Sequence, residues 1–289
     1  MNLRLDRIAT LCVADPLIRL APKKRPTVPI LMYHSVSEQD ESGKHAYYRT
    51  STSPAMFAAQ IEYLHRNGYR TCSVAKAIAQ LEANAPEAAR SVVLTFDDGY
   101  RDFYENAFPV LNQYGFTATV YLPTAFIGES TLQFKGQDCL TWSEVRELQS
   151  HGITFGSHTV THPQLHALDL ESIEAEIVNS KSVIQENTGT AVDSFAYPYA
   201  FPQTDGVFIE KLRGVLEQAG YATGVCARIG RAGSNSDPFF LERLPVNGLD
   251  DKALFEAKLD GAYDWMAWLQ TCAKSLKSRG ERTSWRGDM

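Results

Sequence analysis

The run Thr95-Phe96-Asp97-Asp98-Gly99-Tyr100 sets two carboxylates side by side, directly after the apolar stretch Ser91-Val92-Val93-Leu94. Like charges that close raise one another's pKa unless a cation neutralises them. Taken alone, Asp-Asp-Gly reads as a solvated turn in which Asp98 caps the next helix. A second cluster sixty residues on, Gly156-Ser157-His158-Thr159-Val160-Thr161-His162-Pro163, changes that reading. One carboxylate and two histidines make a common ligand set for a catalytic zinc, with a fourth position open for water. Such a centre keeps a net positive charge, lowers the pKa of water toward ~7 and polarises a carbonyl.

An HxxxH spacing puts both rings on one face of a helix, but Pro163 disfavours helical backbone at His162. The pair is therefore expected on a strand-to-loop corner, with Ser157 and Thr159 as supporting partners. If Asp98 is the ligand, Asp97 remains a free carboxylate beside the metal, suited to general-base work. Hydrolysis of an amide also needs an acid for the departing amine. Five other histidines are available. His65 falls on a predicted helix, His151 near a helix end, His45 in a loop and His166 in a connecting stretch. His34, at the end of a buried strand, is the candidate acid.

These side chains need elements to carry them. Val28-Pro29-Ile30-Leu31-Met32-Tyr33 reads as a buried strand ending at His34, and residues 38–53 as a long loop. Ser53 and Pro54 open a helix with Phe57, Ile61 and Leu64 on one face; Ser73 opens another. From residue 92 the chain alternates strand and helix, with strands at 92–96, 117–122, 153–155, 193–197, 221–225 and 239–246. Thr141-Trp142-Ser143-Glu144 is a capping box, and Asp169 caps a helix carrying Ile173, Ile177 and Ile184. A last amphipathic helix is predicted over residues 251–277. Seven strands alternating with helices favour a parallel sheet, open or closed into a barrel. Either architecture collects its ligand site at the carboxyl ends of the strands. Asp97/Asp98, His158/His162, His34 and Tyr197/Tyr199 all fall just after a predicted strand.

The 289 residues are 44% hydrophobic and 21% charged, which fits a globular α/β chain. A net charge of −6 speaks against a nucleic-acid surface. Five widely spaced cysteines without a CxxC suggest packed thiols instead of a disulfide framework. Residues 8–14 are apolar but too few, and too closely flanked by Asp6 and Asp15, for an export signal or a membrane span. A helix packed on the domain's flank is expected there, with peripheral membrane contact left open. The absent signal points to a cytoplasmic enzyme.

Thr95-Phe96-Asp97-Asp98-Gly99 followed by His158-Thr159-Val160-Thr161-His162-Pro163 resembles the first two motifs of the polysaccharide deacetylase family, the NodB-homology domain of carbohydrate esterase family 4. Phe195-Ala196-Tyr197-Pro198-Tyr199 looks like its third motif, at the acetyl end of the groove. The likeness covers about residues 28–249. It implies a distorted (β/α)7-type barrel in one domain, one divalent metal ion and removal of N-acetyl groups from amino sugars. Zn2+ is the metal expected, with Co2+, Ni2+ or Mn2+ compatible. By the resemblance Asp97 is the base, Asp98, His158 and His162 are the metal ligands, and the Tyr199 N–H is an oxyanion donor beside Tyr197. Many members carry an arginine in the third motif that tethers the base. Here Ser194, Phe195 and Ala196 stand in its neighbourhood, Ala200 replaces the usual glycine, and Arg243 is the substitute considered. No histidine follows His166, whereas Met32-Tyr33-His34-Ser35-Val36 resembles the N-terminal histidine motif of the biofilm poly-N-acetylglucosamine deacetylase branch.

The expected organisation is an extension over residues 1–27, the deacetylase domain over 28–249, a C-terminal helix packed on it over 250–277 and a disordered tail over 278–289. The partner expected is an N-acetylated glycan, from an exopolysaccharide or a lipid-linked intermediate. The competing readings are an amidase for a small linear or cyclic amide and an inactive sugar-binding relative. Retention of Asp97 and His34 counts against the second.

Overall fold

The computed structural model describes residues 4–21, 26–200 and 205–271. Seven parallel strands close a ring: β1 (Ile30–Tyr33), β2 (Ser91–Phe96), β3 (Thr119–Leu122), β4 (Thr154–Ser157), β5 (Ser194–Ala196), β6 (Thr223–Ile229) and β7 (Leu241–Pro245). Each strand pairs with its neighbours in chain order, and β7 returns to β1 with Leu244 opposite Leu31. Helices on the connections cover the outside. Every residue of β2 and β3 is buried, as expected of parallel strands covered on both faces. The ring is distorted at two places. β4 meets β5 only through Ser157 and Phe195, and the β6–β7 register shifts between Val225 and Ile229. Gly156 belongs to the packing of β4, because a Cβ there would lie 2.4 Å from the Tyr121 ring.

The helix starts follow their local chemistry. Ser53 accepts from the Met56 N–H ahead of Pro54–Arg66, and Ser73 from Lys76 ahead of Val74–Glu82. Asp169 accepts from Ser172 ahead of Leu170–Thr188, which ends on left-handed Gly189. The Thr141–Glu144 capping box is complete on Trp142–Ser150, and Arg101 donates to the same glutamate at 2.8 Å. A Thr141→Ala change is expected to cost about 1 kcal/mol of unfolding free energy, read from urea denaturation. An unchanged midpoint would show that Arg101 and Glu144 hold that helix end without the cap.

At the N-terminus the chain is helical from Leu5 to Leu20, with a π-turn at Thr10–Ala14, and it lies on the flank of the domain. The long loop after β1 is ordered by Glu41, which accepts from the Thr50 and Ser51 N–H groups at 2.8 Å each. The last helix departs from its expected form. Lys252–Leu259 stops at Asp260, residues 260–265 turn, and helix resumes over 266–271. Gly261 has φ +89, and the Arg231 guanidinium occupies the space its Cβ would need. Amphipathic spacing on both sides of that glycine hid the break. The expected helix beyond 271 and the tail lie outside the described residues. No helix among the described residues is long and apolar enough to cross a membrane.

Candidate active site

The rim formed by the carboxyl ends of β1, β2, β4 and β5 collects the chemistry. The Asp97 N–H donates to Tyr33 O, so the β1–β2 ladder runs one step past the named strands and delivers Asp97 and Asp98 to the edge. Asp98 has φ +70, and the next residue, Gly99, φ +62. This tight left-handed corner turns the two carboxylates to different partners.

Asp98 Oδ1 lies 3.1 Å from His162 Nε2 and 3.6 Å from His158 Nε2. Ligand atoms of the three residues all fall within 4.8 Å of one another, and all three are buried. His158 Nδ1 lies 2.7 Å from the Ala196 carbonyl of β5. Donation of the Nδ1 proton to that carbonyl leaves the Nε2 lone pair facing Asp98. Asp98 Oδ1 is buried without a hydrogen-bond partner. Unpaired buried acceptors are costly unless something positive meets them. The set of one oxygen and two imidazole nitrogens therefore fits a divalent ion.

Charge agrees. Burial opposes ionisation of Asp98, yet His162, His34, His158 and Lys135 together hold its carboxyl far below the usual carboxylate range. Burial pushes His158 down to about 4, against the pull of Asp97 and Asp98, so it is neutral and able to ligate near pH 7. Zn2+ added to metal-free protein is expected to raise the unfolding free energy by about 2.7 kcal/mol when free metal stands about a hundredfold above Kd. Calorimetric melting with and without chelator reads the shift, and His158→Ala should cancel it.

Asp97 turns to Arg243. The guanidinium of this β7 residue donates from Nη1 to Oδ1 and from Nη2 to Oδ2, both at 2.7 Å. Arg243 is itself buried, and it also donates to the Cys226 carbonyl at 3.1 Å and to Thr95 Oγ1 at 3.2 Å. Burial would raise the Asp97 pKa, but Arg243, with His158 and His34, outweighs it and holds the carboxyl below its ordinary value. His34 Nε2 stands 3.9 Å from Asp97 Oδ2, its ring one-fifth exposed. Burial lowers the His34 pKa while Asp97 and Asp98 pull it up.

The third predicted stretch divides. Tyr199 has φ +57, is half-exposed, and its ring meets the His162 ring edge-on at 4.7 Å. The Tyr197 side chain goes into the core, stacked on Phe240 at 5.4 Å with its hydroxyl donating to Phe239 O at 3.0 Å. Sequence reasoning passed over two further residues. Glu176 accepts from the Val160 N–H, the Thr161 N–H and the Thr161 hydroxyl at 2.8, 2.8 and 2.7 Å. It thereby braces a loop whose Thr159 and His162 both have positive φ. Its signal was an acidic residue next to Ile177 on the inward side of an amphipathic helix. Lys135, at the tip of the Gln133–Asp138 hairpin, donates to Asp98 Oδ2 at 3.3 Å. Nothing in its sequence neighbourhood marks it.

A closed parallel barrel with an Asp-His-His ligand set at its carboxyl rim, and a second carboxylate clamped beside it, defines a metal-dependent hydrolase. Residues 84–224 match the family model described as polysaccharide deacetylase. The chain is 30% identical over 225 residues to YxkH of Bacillus subtilis, described as a polysaccharide deacetylase, covering 78% of this chain and 73% of that protein. It is 25% identical over 237 residues to the poly-beta-1,6-N-acetyl-D-glucosamine N-deacetylase of Staphylococcus aureus, covering 75% of this chain and 78% of that one. Among solved structures, the deacetylase PplD of Streptococcus pyogenes superposes with TM-score 0.71 at 24% identity, over 82% of this chain and 99% of its own. The chain belongs to the polysaccharide deacetylase family, hydrolases of carbon–nitrogen bonds.

Proposed function

We propose that this enzyme removes N-acetyl groups from the amino sugars of an N-acetylglucosamine-containing exopolysaccharide, or of its lipid-linked intermediate, and that the ion held by Asp98, His158 and His162 is Zn2+. The observation that carries the reading is the placement of an arginine-clamped carboxylate next to that ligand set, with a histidine on its open side. The S. aureus relative's named substrate supports the glycan class. The ion would supply Lewis-acid polarisation of the acetyl carbonyl and a more acidic water.

The protein's own groups supply the rest. Asp97, kept ionised by Arg243, accepts a proton from the water that adds to the acetyl carbon. The Tyr199 backbone N–H donates to the oxyanion that develops. The carbon–nitrogen bond then breaks as His34 delivers a proton to the departing amine, giving acetate and the free amino sugar. Arg243 does not touch the substrate in this scheme; it holds the base in place and in charge. Tyr197 contributes by packing behind the third stretch.

The test is acetate release from N-acetylglucosamine oligomers by the zinc-loaded enzyme. Wild type is expected to release acetate, and failure on these oligomers would overturn the substrate class. His34→Ala is expected to lose about 100-fold in turnover of the amide, whose leaving group needs a proton. The same variant should retain hydrolysis of 4-nitrophenyl acetate, whose leaving group departs as the anion. Full amide turnover by His34→Ala would remove the proton-donor role.

A further inference from the structure

We infer that Lys135 is a positioning residue for the metal ligand Asp98: by holding Oδ2 it leaves Oδ1 alone to meet the ion. The two oxygens of Asp98 have different surroundings. Oδ1 faces His162 Nε2 at 3.1 Å and His158 Nε2 at 3.6 Å, and it is buried without a hydrogen-bond partner. Oδ2 accepts from Lys135 Nζ at 3.3 Å. The ammonium is fixed there from several sides. Gln133 pairs with Asp138 and Phe134 with Gln137, which leaves Lys135 and Gly136 as the two tip residues of the hairpin. Both are left-handed, at φ +50 and φ +79, the conformation that a tight two-residue turn requires. Phe134 anchors the hairpin: it is buried, its ring 5.0 Å from the His162 ring and 4.4 Å from that of Phe126. Lys135 Nζ stands 4.4 Å over the Phe134 ring and 5.4 Å over the Tyr199 ring, so aromatic faces steer it as well.

A carboxylate can offer a cation one oxygen or both. Two oxygens together with His158 and His162 would fill four positions on the ion from the protein side, whereas a catalytic centre keeps one open for water or substrate. Lys135 therefore trades affinity for access. Its charge repels a divalent ion, and its hydrogen bond withholds the second oxygen. Both effects weaken binding of the ion, and the second keeps a position free. The Tyr100 side chain also hydrogen-bonds Asp98, but burial and the Asp98 charge keep its hydroxyl protonated, so the repelling charge is that of Lys135. The inference rests on the metal centre of the proposed function.

The test compares Lys135→Met, which keeps an unbranched side chain without the charge or the donor, with Lys135→Arg, which keeps both. In calorimetric zinc titration of the metal-free protein, Lys135→Met is expected to bind about ten- to a hundredfold more tightly than wild type, the size of effect that partners of metal ligands exert. Its zinc-loaded turnover of N-acetylglucosamine oligomers should fall about tenfold with KM little changed. The visible spectrum of the Co2+-loaded variant should differ from wild type, because Asp98 then gives the ion two oxygens. Lys135→Arg should keep the wild-type affinity, turnover and spectrum. A Lys135→Met protein that binds zinc no more tightly than wild type, or shows the wild-type Co2+ spectrum, overturns the inference and leaves the metal centre standing. A wild type that binds no zinc, or binds it equally well after His158→Ala, overturns the metal centre and the inference with it.

Discussion

Asp97→Asn is expected to lower kcat/KM for the N-acetyl substrate by about 100- to 10,000-fold while leaving zinc affinity unchanged, the range that loss of a positioned general base produces. The reasoning rests on the division of labour between adjacent carboxylates. Asp98 Oδ1 faces the two imidazoles, whereas both oxygens of Asp97 are engaged by Arg243. Asparagine preserves the volume and one acceptor for the guanidinium, but it cannot take a proton from water. Its amide group would also turn N–H toward a cationic donor, so a modest loss of stability accompanies the loss of rate. Steady-state kinetics together with calorimetric zinc titration separate the two effects. A variant that loses zinc along with activity would mean that Asp97 belongs to the ligand set. One that keeps its activity would remove Asp97 from the chemistry.

Much of this arrangement was legible because strand ends are local events. An apolar run followed by Asp-Asp-Gly announces a strand and a sharp corner, and β2 ends with left-handed Asp98 and Gly99 as that pattern implies. Pro163 disfavoured a helical HxxxH, and His162 indeed sits at φ +59 on a loop. Alternation of strand and helix then forces the carboxyl ends to one rim, so His158, His162 and Asp98 meet there although sixty residues separate them. What depends on side chains reaching across the barrel was less readable. Arg243 meets Asp97 across 146 positions, and nothing local distinguishes it from other arginines except its place on a strand. Glu176 and Lys135 reach the site from a helix face and a hairpin tip, positions whose direction only the assembled packing sets. Tyr197 shows the reverse case. The strand ends at Ala196, and the left-handed corner at Tyr199 turns its ring to the rim while the core takes that of Tyr197.

Arg243→Met is expected to destabilise the fold by about 3–5 kcal/mol near neutral pH, the usual cost of removing one partner of a buried ion pair. Asp97 would then keep its burial and lose its largest favourable contact, so its folded-state pKa should move from below the ordinary value to above it. The sign of the pH dependence follows. In wild type the depressed Asp97 pKa contributes stability that is present above the unfolded-state value of about 3.9 and is lost as pH falls through the folded value. In the variant the carboxylate is the costly form. The deficit relative to wild type should therefore be largest at neutral and alkaline pH and shrink as the medium becomes acidic enough to protonate Asp97. The base would also be protonated over more of the working range, moving the acidic limb of the kcat/KM profile to higher pH. Urea denaturation at several pH values reads the first effect, and the rate profile reads the second. The paired change Asp97→Leu/Arg243→Met removes both charges. It should recover most of the lost stability without recovering any activity, because two apolar side chains of suitable volume can replace a buried pair at little cost. A single variant whose deficit does not change with pH, or a double variant no more stable than Arg243→Met, would show that Arg243 acts through its bonds to Cys226 and Thr95 and not through the charge of Asp97.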